Sequence, residues 1–432
     1  MNIRFYNAKI LILNEQDVFE VIEGELWVRG SEICYAGDGS DTEEVLRRNG
    51  PVCWEREIDA DGNLLMPGFK NAHTHTAMTF LRSYADDLPL QDWLFKQVFP
   101  KEDQLTPETV YDLDILGIME YLTSGITSNF DMYYFPPENA QASVDTGFRT
   151  VQAAGINDYG GTLEKIEENM KIVNSMGDLV SYQVGLHAEY TTSMKLMEGV
   201  AALAQKYHSP VYMHNGETKS EYEGCIERYG MTPTQVTEKL GMYEYGGGGF
   251  HCIYMDDADI EIFKKHQMTV VTCPSSNLKL ASGIAPVKRF ADEGINVAIG
   301  TDGAASNNCL DMFREMFLVS GLAKVREVDA ECISAERVLY MATAGGAKAM
   351  GLSDCDRIAP GKKADLILLD LHQPNMQPEN NIVKNIVYSG SKQNVKMTMV
   401  NGEILYEDGE FHIGFDPEKV YRRANEIIRS MK

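Results

Sequence analysis

From Leu64 onward the chain repeats one unit, in which a short apolar run ends in polar residues and is followed by a segment with helical periodicity. The eight runs are "LLMPGFKNAHTH", "GITSNFDM", "GFRTVQAAGI", "SYQVGLHAEY", "SPVYMHNGET", "GGGFHCIYMD", "MTVVTCPSSN" and "INVAIGTDGAASNN". Nearly continuous apolar runs are typical of strands buried on both faces, and strands that alternate with helices imply a parallel sheet. Eight such units predict an α/β fold of the (β/α)8 TIM-like barrel type, in which the C-terminal strand ends bear the chemistry.

The segments between the runs carry the signals that begin and end helices. In "TPETVYDLDILGIMEYLTSG", Thr106 is a candidate N-cap, Pro107 occupies the first helical position and Gly125 lies beyond the end. We expect a helix here and comparable helices after the other runs.

Both ends of the chain contain strand-like runs with Gly-containing turns outside the repeat. They are "NIRFYNAKILIL" and "GELWVRGSEICYAG" near the start, and "KADLILLDL" and "VKMTMVNGEILYEDGEF" near the end. We expect residues 1–66 and 355–415 to join into one small composite β-sandwich, and residues 67–354 to form the barrel. Residues 416–432 begin with an Asp cap and a Pro, which predicts a closing C-terminal helix.

The charge of the chain argues against two classes of partner. With 64 acidic and 39 basic residues, the formal net charge is -25, which repels nucleic-acid phosphates and anionic membranes. A small-molecule substrate is therefore expected, with no nucleic acid and no membrane partner. The start, "MNIRFYNAKILILNEQ", lacks the features of a signal peptide, and no apolar run approaches the roughly 20 residues of a spanning helix, so we expect a cytoplasmic protein.

Histidines close several of the apolar runs. His73 and His75 end the first run, and because residues two apart in a strand face the same side, both can reach one metal ion. Alone, such a pair more often consists of polar residues that merely cap a strand. The other closing residues are His187, His214 and His251 for runs four to six, and Asp302 for run eight. Imidazoles with one carboxylate suit zinc or ferrous iron, and a coordination position left to water makes such a site catalytic.

Three residues are candidates for proton transfer at this site. Glu217 follows His214 by three residues in "HNGET", where a carboxylate can take a proton from metal-activated water and pass it to a ring nitrogen or leaving group. Asp302 can bind the metal and take a proton, and His251 can orient the water. Taken alone, Glu217 is a solvated loop residue and "TDG" a common turn, so these interpretations depend on the neighbouring ligand residues.

Together these motifs resemble a known family. "PGFKNAHTHTAMTFLRSYADDLPLQDWL", "HNGET", the "HC" after the sixth run, "PSSNLKLASGIAPV" and "GTDGAASNN" are similar to the amidohydrolase superfamily, in particular to its 5'-methylthioadenosine/S-adenosylhomocysteine deaminase branch, over essentially the whole chain. The resemblance implies that Glu217 and His251 handle protons and that the metal ligands are His73, His75, His214 and Asp302. The fourth run lacks the lysine of dinuclear branches, which implies one divalent metal, zinc first, with iron or manganese as alternatives.

The resemblance also implies substrate contacts. Trp93 resembles the aromatic residue beside the nucleoside, and Glu102 resembles the acid that binds the ribose hydroxyls. His187 resembles the histidine that hydrogen-bonds the purine, and Ser306 a serine near the metal-side edge of the ring. Each has a structural alternative: packing on a helix face for Trp93, a helix-start charge for Glu102, a core position for His187 and a loop cap for Ser306.

Two departures from the family pattern concern the substrate. Members that accept S-adenosylhomocysteine carry arginines for the amino-acid carboxylate where this chain has Ala154 and Thr162. In "HNGET", Asn215 stands where an apolar or hydroxyl residue is more usual, so it could alter the pocket. The first departure argues against binding of an amino-acid tail, and both indicate a substrate that differs from the usual one of the family.

The sequence as a whole predicts a metal-dependent hydrolytic deaminase that converts an adenosine-type nucleoside to the inosine-type product and ammonia. The expected substrates are 5'-methylthioadenosine, 5'-deoxyadenosine or adenosine, with water attacking C6 while Glu217 protonates N1. The alternatives are a guanine or pterin deaminase, a triazine hydrolase on the same scaffold, or a non-catalytic interaction platform. We also expect a homo-oligomer, since families of this shape often form one.

Overall fold

The structure is a computed structural model and describes residues 1–50 and 52–432. In chain order the strands are Asn2–Leu13 (β1), Phe19–Arg29 (β2), Glu32–Gly37 (β3), Arg56–Asp59 (β4), Leu64–Pro67 (β5), Phe69–Thr74 (β6), Ile126–Asp131 (β7), Arg149–Ala153 (β8), Val180–Gln183 (β9), Gly185–Ala188 (β10), Val211–Asn215 (β11), Gly247–His251 (β12), Thr269–Thr272 (β13), Asn296–Ile299 (β14), Leu366–Leu369 (β15), Val395–Val400 (β16), Glu403–Glu407 (β17) and Glu410–Phe411 (β18).

The α-helices alternate with the strands through the middle of the chain. They are Thr42–Asn49 (α1), Leu90–Trp93 (α2), Phe99–Glu102 (α3), Pro107–Thr123 (α4), Pro136–Thr146 (α5), Leu163–Val173 (α6), Met194–Tyr207 (α7), Lys219–Tyr229 (α8), Pro233–Lys239 (α9), Asp257–Lys265 (α10), Pro274–Lys279 (α11), Val287–Asp292 (α12), Ala304–Asn307 (α13), Met312–Glu327 (α14), Ala335–Ala342 (α15), Ala344–Met350 (α16), Ile382–Tyr388 (α17) and Pro417–Ser430 (α18). Shorter 3-10 turns occupy Thr76–Leu81, Glu189–Thr191, Pro374–Met376 and Lys392–Asn394.

The parallel strands β6 to β14 form the barrel that the repeat predicts. β6 to β9 pair in sequence, and so do β10 to β14. The fourth apolar run is divided at Val184, so that β9 pairs with β8 and β10 pairs with β11. The first and eighth strands meet through Asn71, whose side chain accepts a hydrogen bond from Thr301 N at 2.8 Å and donates to Thr301 Oγ1 at 2.7 Å.

Local sequence signals explain why the barrel elements form where they do. β6, β7, β11 and β12 are buried at every position, as their nearly continuous apolar runs require. α4 begins after Thr106, whose side chain accepts a hydrogen bond from Thr109 N at 3.2 Å, and Gly125 follows the helix with φ +72°. The predicted start and end of this helix are therefore confirmed.

Strands from both ends of the chain form one nine-stranded sheet, in the order β18-β17-β16-β15-β5-β1-β2-β3 with β4 beside β1. The sheet curls on itself, because Ile33 N donates to Lys362 O at 2.8 Å and Ala364 N donates to Ser31 O at 2.8 Å. Apolar residues of both halves share one core. The predicted terminal β-sandwich is thus a single curled sheet, and the first apolar run is split between its β5 and the barrel's β6.

A buried ionic network joins this sheet to the barrel. Asp365, just before β15, accepts hydrogen bonds from Arg149 Nε at 2.7 Å and from Asn401 N at 2.8 Å. Lys70 Nζ lies 3.8 Å from the same carboxylate, and the Asp365 and Lys70 side chains are completely buried. Burial alone would raise the pKa of Asp365, but Arg149 and Lys70 hold it below its usual range.

The C-terminal helix supports the wall of the barrel mouth. Asp416 caps α18 by accepting a hydrogen bond from Glu418 N at 3.0 Å. Ile427 packs in the same apolar cluster as Trp93, and Arg423 pairs with Asp112 on α4 at 2.6 Å. Among the described residues, no helix is long and apolar enough to cross a membrane.

Candidate active site

Three histidines and one aspartate meet at the C-terminal ends of the barrel strands. The ligand atoms of His73, His75 and His214 lie within 4.8 Å of one another. Asp302 Oδ1 lies 3.3 Å from His75 Nε2 and 3.7 Å from His73 Nε2. Within the described part of the chain, both buried ring nitrogens of His73 lack a hydrogen-bond partner. Such an orphaned imidazole beside a carboxylate fits one divalent cation with three nitrogen ligands and one oxygen ligand.

Backbone carbonyls fix the tautomers of two of these histidines. His75 Nδ1 lies 2.6 Å from Met132 O, and His214 Nδ1 lies 2.7 Å from His187 O. Because a carbonyl oxygen only accepts, each Nδ1 carries the proton and each Nε2 keeps a lone pair for a metal. Burial, followed by the neighbouring histidines, lowers the pKa values of His73 and His214 well below the ordinary range, so both rings are neutral as metal binding requires.

Asp302 is held by donors on both oxygens. Its Oδ2 accepts hydrogen bonds from Ser276 Oγ at 2.6 Å and Ser306 Oγ at 3.0 Å, and its Oδ1 accepts from Gly303 N at 2.8 Å. Burial would raise the pKa of Asp302, but His75 and the donors lower it below the usual range, so the group is an anion. Ser306, predicted to lie near the substrate ring, contacts Asp302 and is not among the residues that line the cavity.

Glu217 and His251 form a pair beside the histidine cluster. His251 Nε2 lies 4.0 Å from Glu217 Oε2, and both side chains are buried. Burial raises the pKa of Glu217. Burial lowers the pKa of His251, but Glu217 and Asp302 more than offset this and raise it overall. Groups whose pKa values move toward neutrality can both give and take protons at physiological pH.

The backbone at the site adopts conformations that most residues avoid. His251 has φ +68° and Asp302 has φ +58°, in the left-handed region that side chains disfavour. His251 Nδ1 lies 2.7 Å from Asn277 Oδ1, a contact that orients the ring. Asp302 N donates to His73 O at 3.0 Å, which joins the first and eighth strands at the metal cluster.

The loop that carries Glu217 requires a glycine and a buried acid. Gly216 has φ +57°, and a Cβ there would lie 2.3 Å from Tyr254 O. Glu221 on α8 accepts hydrogen bonds from Gly216 N at 3.0 Å and Glu217 N at 2.8 Å. Burial raises the pKa of Glu221 to about 8. These contacts fix the turn that presents Glu217 to the cavity.

Asn215 faces away from the cavity. Its Nδ2 donates to Thr234 Oγ1 at 2.8 Å, and it is not among the cavity-lining residues. Neighbouring residues of a strand face opposite sides, so the orientation of His214 toward the cluster places Asn215 toward the helices. The predicted influence of Asn215 on the pocket is therefore not supported by a direct contact.

A cavity of about 630 Å³ opens at the cluster and is lined by His75, His214, Glu217, His251 and Asp302. The same cavity is lined by Trp93, Glu102 and His187. Its volume lies in the range of small-molecule sites. The structure thus brings the predicted ligands, the proton-handling pair and three of the predicted substrate contacts to one place, with His73 buried directly beneath them.

The pKa values of Glu102 and His187 are shifted far from the ordinary values of these side chains. Glu102 accepts a hydrogen bond from Tyr133 OH at 2.7 Å, and burial raises its pKa to about 7. His187 Nδ1 lies 2.8 Å from Thr191 Oγ1, and burial lowers the pKa of His187 to about 3. His187 is therefore a neutral imidazole that can hydrogen-bond a neutral ring.

A π-helical turn connects Trp93 to Glu102. α2 ends at Trp93, the π-helical turn covers Leu94–Val98, and α3 ends at Glu102. π-helical turns are rare and occur frequently at functional sites. This turn sets the spacing at which the two side chains reach the cavity, and nothing in the sequence pattern predicted it.

Four residues with functional contacts were missed in the sequence. Ser276 and Asn277 lie in the quoted "PSSN" motif after the seventh run, and their position at a barrel strand end was the available signal. Tyr133 and Thr191 follow the second and fourth runs in the same way. Ser276 contacts Asp302 of the cluster, and the other three contact His251, Glu102 and His187 beside it.

A barrel with a metal-fitting histidine and aspartate cluster, and a buried proton-handling pair beside it, defines a metal-dependent hydrolase. The model of the amidohydrolase family matches residues 64–405. The chain belongs to the amidohydrolase family. It is a hydrolase that acts on carbon–nitrogen bonds.

Several proteins of known name resemble the chain over most or all of its length. A 5-methylthioadenosine/S-adenosylhomocysteine deaminase of Caldicellulosiruptor saccharolyticus is 37% identical over 433 residues, covering 100% of this chain and 99% of that protein. A Pyrococcus furiosus protein of the same name is 38% identical and covers 86% of this chain and 90% of its own. An adenosine deaminase structure from Xanthomonas campestris with bound zinc has a TM-score of 0.92 and 31% identity, with 99% of each chain covered.

Proposed function

We propose that this chain removes the 6-amino group of an adenosine-type nucleoside by metal-dependent hydrolysis, giving ammonia and the inosine-type product. The candidate substrates are 5'-methylthioadenosine, 5'-deoxyadenosine and adenosine. The observation that carries the proposal is that the metal-fitting cluster and the Glu217–His251 pair open on the same cavity as Glu102 and His187. The deaminase names of the relatives support the same reaction.

We propose a single zinc ion held by His73, His75, His214 and Asp302, with iron and manganese as the alternatives. The ligand types and the zinc in the Xanthomonas campestris structure support this choice. When bound, the ion supplies Lewis acidity, which lowers the pKa of a coordinated water toward neutrality. The neutral ring of His214 and the ionised Asp302 already have the protonation states that such a site needs.

The chain's own residues move the protons of the reaction. As water adds to C6, Glu217 passes a proton to N1 of the purine, and its raised pKa suits it to carry that proton. Asp302 and His251 orient the water and accept its proton. The C6–N bond then breaks as the hydroxyl on C6 gives its proton to Glu217 and becomes the carbonyl, ammonia leaves with a proton returned from the Asp302–His251 side, and the inosine-type ring remains.

Three further residues position the nucleoside. Glu102 would accept hydrogen bonds from the ribose hydroxyls, and Tyr133 holds its carboxylate in place. His187 would hydrogen-bond the purine through the nitrogen not used by Thr191. Trp93, a buried cavity-lining aromatic, would form an apolar wall beside the nucleoside.

Enzymes that act on the rival substrates share the fold of this chain but less of its sequence. A triazine hydrolase structure has a TM-score of 0.88 at 20% identity, and a guanine deaminase structure from C. acetobutylicum has a TM-score of 0.83 at 20% identity. These likenesses concern the fold alone. Glu102 and His187 in the cavity favour a ribosylated purine over guanine, pterins and triazines. The intact set of ligand residues argues against a non-catalytic platform.

The test is ammonia release by zinc-loaded protein offered 5'-methylthioadenosine, 5'-deoxyadenosine, adenosine, guanine, a pterin and a chlorotriazine side by side. We expect turnover of the adenosine-type nucleosides and none of the others. Turnover of guanine, pterin or triazine alone would overturn the substrate assignment. Metal analysis of the purified protein separates zinc from iron and manganese, and the absence of stoichiometric metal would favour the platform.

The proposal also includes three organisational features. The chain forms a homo-oligomer and resides in the cytoplasm. It divides into three units: a terminal β-domain of residues 1–66 and 355–415, a barrel of residues 67–354, and a C-terminal helix of residues 416–432. Light scattering of the purified protein measures the oligomeric state, and limited proteolysis reports where the units separate.

A further inference from the structure

Asp302 and His251, which accept the water's proton in the proposed reaction, are held by consecutive residues of one turn. Ser276 Oγ donates to Asp302 Oδ2 at 2.6 Å, and His251 Nδ1 lies 2.7 Å from Asn277 Oδ1. Ser276 and Asn277 both belong to the first turn of α11. The position of this turn therefore sets the orientation of Asp302 and His251 together.

The start of α11 has no cap from its own segment. The preceding residue is Cys273, whose side chain caps no backbone N–H among the described residues. The first residue of the helix, Pro274, has no N–H, so Ser275 N is the first backbone donor of the helix. Ser275 N donates to Glu315 Oε2 at 3.0 Å, a carboxyl group on α14 that lies 40 positions further along the chain. Glu315 thus supplies from another helix the acceptor that an N-cap side chain normally supplies.

Glu315 lies where an acid is unfavourable. It is completely buried, and its neighbours on the buried face of α14 include Met312, Phe313 and Met316. Burial raises the pKa of Glu315 to about 8, although Ser275 opposes the shift. Below that pH the neutral acid still accepts a hydrogen bond through its carbonyl oxygen. A buried polar group is unfavourable unless a hydrogen bond compensates it, and the contact with Ser275 provides that hydrogen bond.

We propose that Glu315 is a positioning residue of the reaction: it holds the first turn of α11 in place, and this turn orients Asp302 and His251. The inference rests on the proposed function, in which those two groups accept the proton of the attacking water. Glu315 is not among the residues that line the cavity, so it acts through the turn rather than on the substrate. A displacement of about 1 Å in a positioned group can cost about 100-fold in rate.

The first experiment compares Glu315→Leu with Glu315→Gln in the zinc-loaded enzyme, with kcat expressed per bound zinc. Leucine suits the apolar surroundings but leaves Ser275 N without its acceptor, so kcat for 5'-methylthioadenosine should fall by about tenfold to 100-fold. KM should stay within about twofold, because the cavity lining is unchanged. Glutamine keeps the acceptor and should keep kcat within about threefold of wild type. A kcat of Glu315→Leu within about twofold of wild type, or an equal loss in Glu315→Gln, would overturn the inference.

A variant on the donor side decides the question if Glu315→Leu does not fold. Ser275→Pro removes the same hydrogen bond by removing the N–H, and proline is tolerated in the first turn of a helix. α5 begins with Pro136 and Pro137, so this chain already contains consecutive prolines at a helix start. Ser275→Pro should lower kcat as much as Glu315→Leu does, and the double variant should be no worse than either single variant. A Ser275→Pro enzyme with wild-type kcat, or losses that multiply in the double variant, would overturn the inference.

Met316→Ala is the matched control. Met316 follows Glu315 on α14 and is also completely buried, but it packs in the apolar core. The space that alanine leaves should lower the midpoint of thermal unfolding, while kcat below that midpoint stays at the wild-type value. A loss of kcat equal to that of Glu315→Leu would show a general effect of α14 and would overturn the inference.

A measurement on His251 separates the failure of this inference from the failure of the proposed function. The ring N–H signals of zinc-loaded protein with isotope-labelled histidines report the orientation of His251 by NMR without turnover, and its signal is the one absent from His251→Gln. This signal should shift in Glu315→Leu and keep its position in Glu315→Gln. If wild type deaminates no adenosine-type nucleoside, the proposed function fails, and the signal still decides whether Glu315 positions His251. An unmoved signal in Glu315→Leu would overturn the inference.

Discussion

Asn277 provides a sensitive test of the role given to His251. The two side chains are almost completely buried, and His251 Nδ1 and Asn277 Oδ1 are 2.7 Å apart. Asn277→Leu replaces the amide with a side chain of similar length that cannot accept a hydrogen bond. The ring N–H of His251 then stays buried without a partner, and the ring is free to rotate or to change tautomer.

The size of the effect follows from that lost partner. Leaving a buried donor unsatisfied costs about 1–3 kcal/mol. If the cost falls on the catalytically oriented ring, kcat decreases by about five-fold to 150-fold, at roughly 1.4 kcal/mol per tenfold. The metal content should not change, because His251 is not one of the four proposed ligands.

The assay combines kcat for 5'-methylthioadenosine, metal analysis and thermal unfolding, with Asn296→Leu as the control. Asn296 is also buried, and its Nδ2 donates to Thr269 Oγ1 at 3.1 Å and Gly345 O at 3.0 Å near the start of β14. Asn296→Leu should lower stability but keep kcat. A kcat within twofold of wild type in Asn277→Leu, or loss of its metal, would refute the reasoning.

Three further predictions concern stability, pH and metal. Asp365→Asn should lower the free energy of unfolding by about 3–5 kcal/mol, because Arg149 and Lys70 stay buried without a counter-charge. Urea unfolding followed by tryptophan fluorescence measures this, and Asp292→Asn in an exposed pair should leave the midpoint unchanged. The pKa of Asp365 is lowered in the folded state, so its stabilisation is present above pH of about 4 and is lost in acid, where wild type and variant should converge. Because the pKa of Glu102 is about 7, KM for 5'-methylthioadenosine should fall as pH rises through that value, and Glu102→Gln should flatten the profile. A chelator should abolish ammonia release and added zinc should restore it, with circular dichroism reporting an intact fold.

Local signals were enough to predict the barrel and its cluster. Each apolar run and each helix cap, such as Thr106 before α4, acts within a few residues of sequence. The C-terminal ends of parallel barrel strands converge, so histidines that close different runs are brought together. This is why His73, His75 and His214 could be grouped although 139 residues separate His75 from His214.

Contacts that depend on register could not be predicted in this way. β5 pairs with β15 about 300 positions along the chain, and no local pattern fixes which strand takes that place. The Tyr133–Glu102 hydrogen bond depends on the π-helical turn between Trp93 and Glu102. Asn215 is different, since the same strand alternation that groups His73 with His75 already places it away from the cavity.

Glu217→Gln tests the central claim most directly. Ammonia release from 5'-methylthioadenosine and bound zinc are measured in the same samples of wild-type and variant protein. The account predicts that wild type deaminates the nucleoside, and that Glu217→Gln keeps one metal ion per chain while kcat falls by about 100-fold or more, since the amide cannot carry the proton to N1. A metal-loaded variant that retains wild-type turnover would contradict the role of Glu217, and a metal-loaded wild type that releases no ammonia would contradict the deaminase itself.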